Sequence, residues 1–345
     1  MKKFGKKYFW SARRQKIILI KQKRKSGKII SSKWSVIKMP SGIIIHHPDG
    51  RKKLIKIFNS MNKITSGGGK VKLDFSITKK IHPGGMLVLM SNIEIINSRY
   101  VGGVNIRCAQ ESIPAQLFDH FNYTAGLGLP KKRRKIENKM VTKWNYLSGR
   151  DSDGSKISGL LANYRSTCTS ETPEGLYESL TEAITNVKHH AYLDKNSEES
   201  KWWIFSSHDD QGEDQDHSIL YIAVYDRGIG IQKAMRRNPQ WEETVTKFLL
   251  SETFRESWLE KKLLQEAVEM ERSSTGMSHR GKGLPDMKEF VAFTRTGSMY
   301  ILSGRAQYTY TASTQTSDCT LCDDELPGTL ILWSIPLQKV KANCA

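Results

Sequence analysis

The stretch Glu182–His190 reads EAITNVKHH and carries an acid, an amide and an imidazole at intervals of four residues. Four residues complete slightly more than one helical turn, so Glu182, Asn186 and His190 share one face of a helix. The surrounding pattern predicts such a helix over Glu174–Tyr192. A polar helix face is most often simply exposed to solvent. Whether this one belongs to a functional site therefore depends on the motifs that follow it.

Two glycine-containing motifs follow the predicted helix. Asp226–Ile231 reads DRGIGI and comes directly after the apolar run Ile219–Val224, which predicts a buried strand that ends at Asp226. Gly281–Leu284 reads GKGL and precedes Pro285–Phe293, which has the pattern of a helix. The start of a helix is a favourable place for an anion, because free backbone N–H groups point outward there.

The order and spacing of the three motifs resemble those of the GHKL ATPases, the superfamily of gyrase, heat-shock chaperone, histidine kinase and MutL nucleotide-binding domains. The first motif, EAITNVKHHAY, is most similar to that of the anti-sigma-factor serine kinases. The resemblance extends roughly over Gly175–Leu337, about half of the chain. It implies a Bergerat-type α/β sandwich, with helices on one face of a sheet, that binds ATP and Mg²⁺.

The resemblance also implies a role for each matching residue of the first motif. Asn186 would be the Mg²⁺ ligand, and Mg²⁺ suits one neutral oxygen because it keeps several waters and needs few protein ligands. Glu182 would be the base that accepts a proton from the water or protein hydroxyl that attacks the γ-phosphate. His190 would be structural and would pack below the site.

The other matching residues would hold the nucleotide. Asp226 would accept a hydrogen bond from the adenine amino group, and Thr329 in the last strand would share a water with it. Glycines behind the aspartate would let the chain turn and leave room for the base. Backbone N–H groups and two cations would contact the phosphates, although exposed basic side chains are the alternative for the cations. These residues are Gly228 and Gly230 for the base, and Arg280, Gly281, Lys282 and Gly283 for the phosphates.

The first half is predicted to be a separate α/β domain, because strand and helix patterns alternate in it. The sequence KLDFSITKKIHPGGMLVLM resembles the centre of a STAS domain. STAS domains that serve as kinase substrates carry Ser or Thr at the start of the central helix, where this chain has His82–Gly85. The resemblance therefore favours a structural or docking role. The predicted strands are Gly42–His47, Lys70–Phe75 and Gly103–Cys108, and the predicted helices are Lys52–Met61, Pro83–Ile96 and Pro114–Tyr123.

Charge is concentrated at the beginning of the chain. The 345 residues have a formal net charge of +19, and residues 1–80 hold 23 Lys or Arg against two acidic residues. Such an arm suits nucleic acid, an anionic membrane surface or an acidic partner, or it is a solubilising tail. The predicted organisation is a basic arm (1–38), a STAS-like domain (39–130), a linker and helix (131–170) and a GHKL ATPase domain (171–340) whose lid covers 232–280.

Several classes of protein are disfavoured by composition. No stretch approaches the ~20 apolar residues of a membrane-spanning helix, and the apolar core of Met1–Ile30 is too short for a secretory signal. Five scattered cysteines are typical of a reducing compartment, so we expect a cytoplasmic protein. Cys319 and Cys322 form a single CxxC without the second pair that zinc would need. We expect free thiols in a loop there.

Three functional hypotheses follow. The first is a regulatory protein that hydrolyses Mg-ATP or transfers its phosphoryl group to a protein Ser or Thr, with Glu182 as base. The second is a non-catalytic switch in which ATP closes the lid and exposes a face for a protein partner. The third is a nucleic-acid-associated ATPase that uses the basic arm. The predicted helix Lys156–Tyr164 would pack on the second domain or form a homodimer contact.

Overall fold

The computed structural model describes residues 34–126, 138–150, 154–162, 164, 172–192, 200–209, 218–250, 256–269 and 283–337. Within these ranges the chain is a mixed α/β structure with a three-stranded, a five-stranded and a two-stranded sheet. No helix of the described residues combines the length and the apolar character needed to cross a membrane.

The first half contains a small parallel sheet. Its elements are β1 (Trp34–Lys38), β2 (Gly42–Ile43), α1 (Pro48–Ser66), β3 (Lys70–Asp74), β4 (Lys80–Ile81), α2 (Pro83–Arg99), β5 (Val104–Arg107), α3 (Ile113–His120) and α4 (Tyr123–Gly126). The strands pair in the order β1-β3-β5, all parallel, and β2 pairs with β4. Each predicted helix and strand of this half has a counterpart, although Gly42–His47 is reduced to a two-residue strand.

The second half contains an antiparallel sheet in the order β6-β7-β8-β10-β9. Its helices are α5 (Lys139–Thr142), α6 (Gly154–Ala162), α7 (Thr172–Asn186) with a π-helical turn at Val187–Ala191, α8 (Ile231–Arg237), α9 (Glu242–Leu249), α10 (Glu256–Glu269) and α11 (Gly283–Phe293). Its strands are β6 (Trp144–Gly149), β7 (Trp202–Asp209), β8 (Ser218–Asp226), β9 (Ser298–Thr311) and β10 (Thr316–Leu337).

Three segments differ from the sequence prediction. β1 lies inside the residues assigned to the basic arm, and Ile37 packs against the core of the first half. β6 lies in the predicted linker and forms an edge of the five-stranded sheet. The predicted strands Ser298–Ser303 and Gln307–Thr311 are one strand, β9. The predicted strand Thr329–Ile335 is only the end of β10, which pairs with β9 from Thr316 onward through register shifts between Leu321 and Thr329.

Helices cover both faces of the five-stranded sheet, with α7 and α11 on one face and α1 and α2 of the first half on the other. Trp202, Ile204 and Val224 belong to the core that contains α7 and α11. Trp203 and Phe205, which point the other way, belong to a core that is shared with α1 and α2. The helices of the first half therefore fill the space between the two sheets.

α2 is the centre of this arrangement. Fourteen of its 17 residues are buried, and a helix that is buried on all sides must have structure around its whole circumference. The N-terminus of α2 is closely packed: Gly84 lies beside the side chains of Leu330 and Leu332, and a Cβ atom on Gly85 would lie 2.6 Å from the carbonyl oxygen of Ile43.

A polar network joins α2 to the second half. The carboxylate of Glu94 accepts hydrogen bonds from Trp203 Nε1 at 2.9 Å and from Tyr146 Oη at 3.1 Å, and it pairs with the ammonium group of Lys201. Three donors from β6, β7 and the residue before β7 thus converge on one acid of the first half. A carboxylate has enough lone pairs for all three, so the network sets the position of α2 on the sheet.

The CxxC residues lie in a strand, and the predicted loop is wrong. Cys319 belongs to the core on the α7 face, and Cys322 belongs to the core on the α2 face. Their side chains therefore point to opposite sides of β10. Both are free thiols, as predicted, and so is Cys108. Burial raises the pKa of Cys319 to about 12, so this thiol is protonated and unreactive at neutral pH.

Candidate functional site

α7 presents an apolar stripe to the sheet and a polar side toward its neighbours. Leu176, Leu180, Ala183, Ile184 and Val187 recur at helical spacing and are all buried in the core. The stripe fixes the rotation of the helix about its axis. The predicted site residues of this helix are consequently held half-buried at the edge of the core; they are Glu182 and Asn186.

Glu182 lies against the start of α11. A Cβ atom on Gly283, the first residue of α11, would lie 2.5 Å from Cγ and 2.8 Å from Cδ of Glu182. Only glycine therefore lets the carboxylate approach the helix start this closely. Burial raises the pKa of Glu182, and the nearby carboxylate of Asp286 adds to the effect. A carboxyl group with a raised pKa is a stronger base once it is ionised.

The other end of the same helical segment contacts the loop after β8. Ile229 donates a hydrogen bond from its backbone N–H to the carbonyl oxygen of Ala191 at 2.7 Å, and Arg227 N donates to Tyr192 Oη at 2.9 Å. A Cβ atom on Gly228 would lie 2.6 Å from the carbonyl carbon of Ala191. The helical segment that carries Glu182 and Asn186 is thus in contact with Gly283 near one end and with the DRGIGI loop at the other.

Asp226 is the end of a polar row across the sheet. The strand register places Asp226 beside Thr329, and Thr329 beside Ser303. Thr329 Oγ1 lies 3.1 Å from Ser303 Oγ, and Ser303 Oγ accepts a hydrogen bond from Ile231 N at 2.9 Å. Gln232 Nε2 donates to the carbonyl oxygen of Ser303 at 2.8 Å. The row therefore also fixes the start of α8.

The carboxyl group of Asp226 is in an environment that opposes its charge. The residue is 5% exposed, and one carboxyl oxygen accepts a hydrogen bond from Gly228 N at 2.7 Å. Burial raises its pKa to about 7, against the opposing effect of backbone hydrogen bonds from Gly228 and Thr329. Such a group responds strongly to a ligand that offers it a donor.

We expect the stability of the protein to depend on pH through this group. Between about pH 4 and pH 7 the unfolded chain ionises Asp226 while the folded chain keeps the proton, so its contribution to the free energy of unfolding falls as pH rises through that window. Urea unfolding measures the free energy of unfolding of Asp226→Asn minus that of the wild type. This difference should be roughly 2–4 kcal/mol larger at pH 8 than at pH 4. Asp318→Asn, which removes an exposed acid, should show no such change; equal pH profiles for the wild type and Asp226→Asn would contradict the prediction.

Gly230, in the loop after β8, and Gly328, within β10, adopt backbone conformations that other residues avoid. Gly230 has φ +82° and precedes α8, and Gly328 has φ +90° just before Thr329. A Cβ atom on Gly328 would also lie 2.7 Å from Cα of Arg227. β10 and the loop after β8 therefore pass each other beside Asp226 at a distance that a side chain on Gly328 would prevent.

The structure places the described site residues in two groups along one helical segment, and it differs from the sequence prediction at His190. Glu182 contacts Gly283; Asp226 and Gly228 form one loop turn, which packs against the helix end that follows Asn186. His190 is exposed, so the expectation that it packs below the site is wrong. The cause is the π-helical turn after Asn186, which has more residues per turn than an α-helix and rotates the later side chains off the predicted face. The predicted phosphate residues Arg280, Gly281 and Lys282 lie outside the described residues.

Sequence reasoning missed four residues that shape this region. Ser303 and Gln232 link α8 to the polar row, and Tyr192 links the helix end to Arg227. Gly328 stands in the sequence PGT, where a Pro-Gly pair before a strand was the available signal. Serine, glutamine and tyrosine carry no comparable signal, because their roles depend on which strands become neighbours.

The predicted lid is helical where it is described. α8, α9 and α10 share a small core of their own, and α10 packs on β9 and α11. The core consists of Met235, Val245, Leu259, Leu263 and Ala267. The predicted hinge, Ser273–Gly276, lies outside the described residues.

The described residues contain no group of three or more His, Cys, Asp or Glu side chains that could hold a metal ion. A Mg²⁺ ion bound through one amide oxygen, phosphates and waters does not require such a group. Arg227 follows Asp226 in the chain; its Nη1 is buried, and no described group accepts a hydrogen bond from it. Comparison of the chain with protein-family models, with curated proteins and with solved structures found no match.

Proposed function

We propose that the second half of the chain binds Mg-ATP along α7 and promotes attack on its γ-phosphate. The proposal depends on one observation: a single helical segment contacts two distant parts of the chain. Glu182 of this segment contacts Gly283, and Ala191 contacts Gly228. Glu182 and Ala191 are nine residues apart, which corresponds to about 13 Å along a helix. This length suits an extended nucleotide with its base at Asp226 and its phosphates at the start of α11.

The residues along this line fit the parts of the nucleotide in order. Asp226 offers a buried carboxyl oxygen to an amino group of the base, and Gly228 and Gly230 keep side chains away from it. Asn186 lies between the two ends and offers a neutral oxygen to Mg²⁺, whose charge would offset that of the phosphates. The backbone N–H groups at Gly283 face the phosphate end. Thr329 supports Asp226 from the neighbouring strand.

Glu182 is suited to remove the proton of the attacking group. It is half-buried, its pKa is raised, and it lies against the helix start. Water or a protein Ser or Thr hydroxyl can supply the attacking oxygen, and the proton goes to the Glu182 carboxylate in either case. The proposed activity is therefore ATP hydrolysis or phosphorylation of a protein Ser or Thr.

The test is to incubate the full chain with γ-labelled ATP and Mg²⁺, and to measure binding together with the fate of the label. Free labelled phosphate would identify hydrolysis, and label on protein would identify a kinase. ATP that is bound but unchanged would identify the non-catalytic switch instead. Asn186→Ala should weaken Mg-ATP binding by about 10-fold or more, as expected for the loss of one contact to a charged group.

Asn62→Ala is the matched control, because Asn62 is a half-buried asparagine on α1. It should leave Mg-ATP affinity unchanged. The proposal is wrong if the wild type shows no affinity for Mg-ATP, or if Asn186→Ala and Asp226→Asn both bind it as tightly as the wild type.

A further inference from the structure

The outer face of the three-stranded sheet carries a distinctive set of side chains. In the register of β1, β3 and β5, Val71, Leu73 and Val104 are buried in the core that contains α1 and α2. Side chains alternate between the two faces of a strand, so the residues between them point away from the helices. This outer face also carries Asp74 and Asn105. Its six other side chains are called here the basic sheet face: Trp34, Val36, Lys38, Lys70, Lys72 and Arg107.

The basic sheet face is open to solvent. Val36 is 56% exposed, and the side chain of Arg107 is 68% exposed. Sheets made only of parallel strands are nearly always covered on both faces. Here helices cover the inner face, while the outer face presents an aromatic ring and an aliphatic side chain among cations. That exposure is unusual enough to require an explanation.

The charge of this face is strongly positive. The three strands contain one acid, Asp74, against four cations on the face. Arg107 Nη1 lies 3.8 Å from Asp74 Oδ2, and Ser76 N donates to the other carboxyl oxygen at 3.0 Å. Three positive charges therefore remain in excess, and an anionic partner is favoured.

The residues that precede β1 carry charge of the same sign as this face. Residues 1–33 contain 13 Lys or Arg and no acidic residue. Like charges repel, so the sequence of this segment is not electrostatically complementary to the face. A negatively charged occupant is favoured instead.

Trp34 narrows the choice of anion. Lys70 Nζ and Lys72 Nζ lie 5.5 Å and 5.8 Å from the centroid of its ring. The two lysines are two residues apart on β3, or about 6.6 Å along a parallel strand. An aromatic ring beside a row of cations matches a polymer in which flat bases alternate with phosphates, because bases stack on the ring while phosphates pair with the cations.

We propose that the basic sheet face binds single-stranded nucleic acid, with a base on Trp34 and backbone phosphates on Lys38, Lys70, Lys72 and Arg107. This site lies in the first half of the chain, on the side of the small sheet that faces away from the five-stranded sheet. It does not depend on ATP binding by the second half.

The experiment measures binding of the full chain to fluorescein-labelled oligo(dT) and oligo(U) by fluorescence anisotropy over a series of salt concentrations. Trp34→Ala should weaken binding about 10-fold without changing the slope of log affinity against log salt, because it removes a stacked base. The double variant Lys70→Ala/Lys72→Ala should reduce that slope by about 1.4, the value for two lost phosphate contacts on a single strand.

The matched control is Lys52→Ala/Lys56→Ala, which removes the same charge from an exposed side of α1. It should bind nearly as tightly as the wild type. Val36→Glu places an acid on the exposed face without touching the core, so it should also weaken binding. It replaces Trp34→Ala as the test if Trp34→Ala lowers the melting temperature measured by circular dichroism. The proposal is overturned if the variants of the face bind like the control, or if the chain binds anionic phosphatidylserine vesicles but neither oligonucleotide.

Discussion

Replacing Glu182 with glutamine is expected to reduce ATP turnover by about 10²–10⁴-fold while changing Mg-ATP affinity by no more than a few-fold. Glutamine has nearly the shape of glutamate, so it can keep the contact with Gly283. It cannot accept the proton of the attacking hydroxyl or water. Single-turnover release or transfer of γ-labelled phosphate measures the chemical step, and calorimetric titration measures the affinity.

Glu178→Gln is the control for this experiment, because Glu178 is an exposed acid one turn earlier on the same helix. Its turnover should equal that of the wild type. Since burial raises the pKa of Glu182, turnover of the wild type should also decline as the pH falls through that pKa and the base becomes protonated. Unchanged turnover in Glu182→Gln would assign the base to another residue.

Gly228→Ala is expected to abolish nucleotide binding and to lower the free energy of unfolding by about 1–3 kcal/mol or more. The new Cβ atom would lie 2.6 Å from both the carbonyl carbon and the Cβ atom of Ala191. Both partners belong to the helical segment, so neither can move aside as a flexible side chain would. The loop must shift instead, which breaks the hydrogen bond from Ile229 N to the Ala191 carbonyl and displaces Asp226.

Gly159→Ala provides the comparison, because a Cβ atom on this exposed helical glycine meets nothing within 4 Å. It should leave Mg-ATP affinity unaltered and should stabilise the protein by up to about 1 kcal/mol, since alanine favours a helix more than glycine does. Urea unfolding and calorimetric titration of both variants measure the two effects. If Gly228→Ala binds Mg-ATP with wild-type affinity, the loop is not part of the nucleotide site.

Local patterns predicted the helices and strands best where burial on one side produced a regular period. α1 and α7 are examples, because their buried apolar residues recur at helical spacing. β6 was missed because it is an edge strand whose residues are mostly half-buried, so the alternation that marks a strand is weak. Only the end of β10, Thr329–Ile335, was predicted, because the polar residues around Cys322 are typical of a loop, although pairing with β9 keeps them in a strand.

The candidate site likewise contains residues that local patterns predicted and residues whose roles depend on tertiary contacts. Spacing alone placed Glu182 and Asn186 on one helix face and Asp226 at a strand end, since helical and strand geometry depend only on neighbours in the chain. Spacing extrapolated to His190 was wrong, because the π-helical turn after Asn186 changes the period. Ser303 acquires its role only when β9 and β8 come to flank β10.

Short-range order is therefore encoded in the residues themselves: the apolar periods, the glycines with positive φ and the basic beginning of the chain are all visible in the amino-acid sequence. Long-range packing decided the remainder, namely that α2 lies between two sheets, that Gly283 touches Glu182 and that the basic sheet face stays open. The physical reason is that contacts between distant segments depend on the burial and charge of every element at once, and no local period records which surfaces will meet.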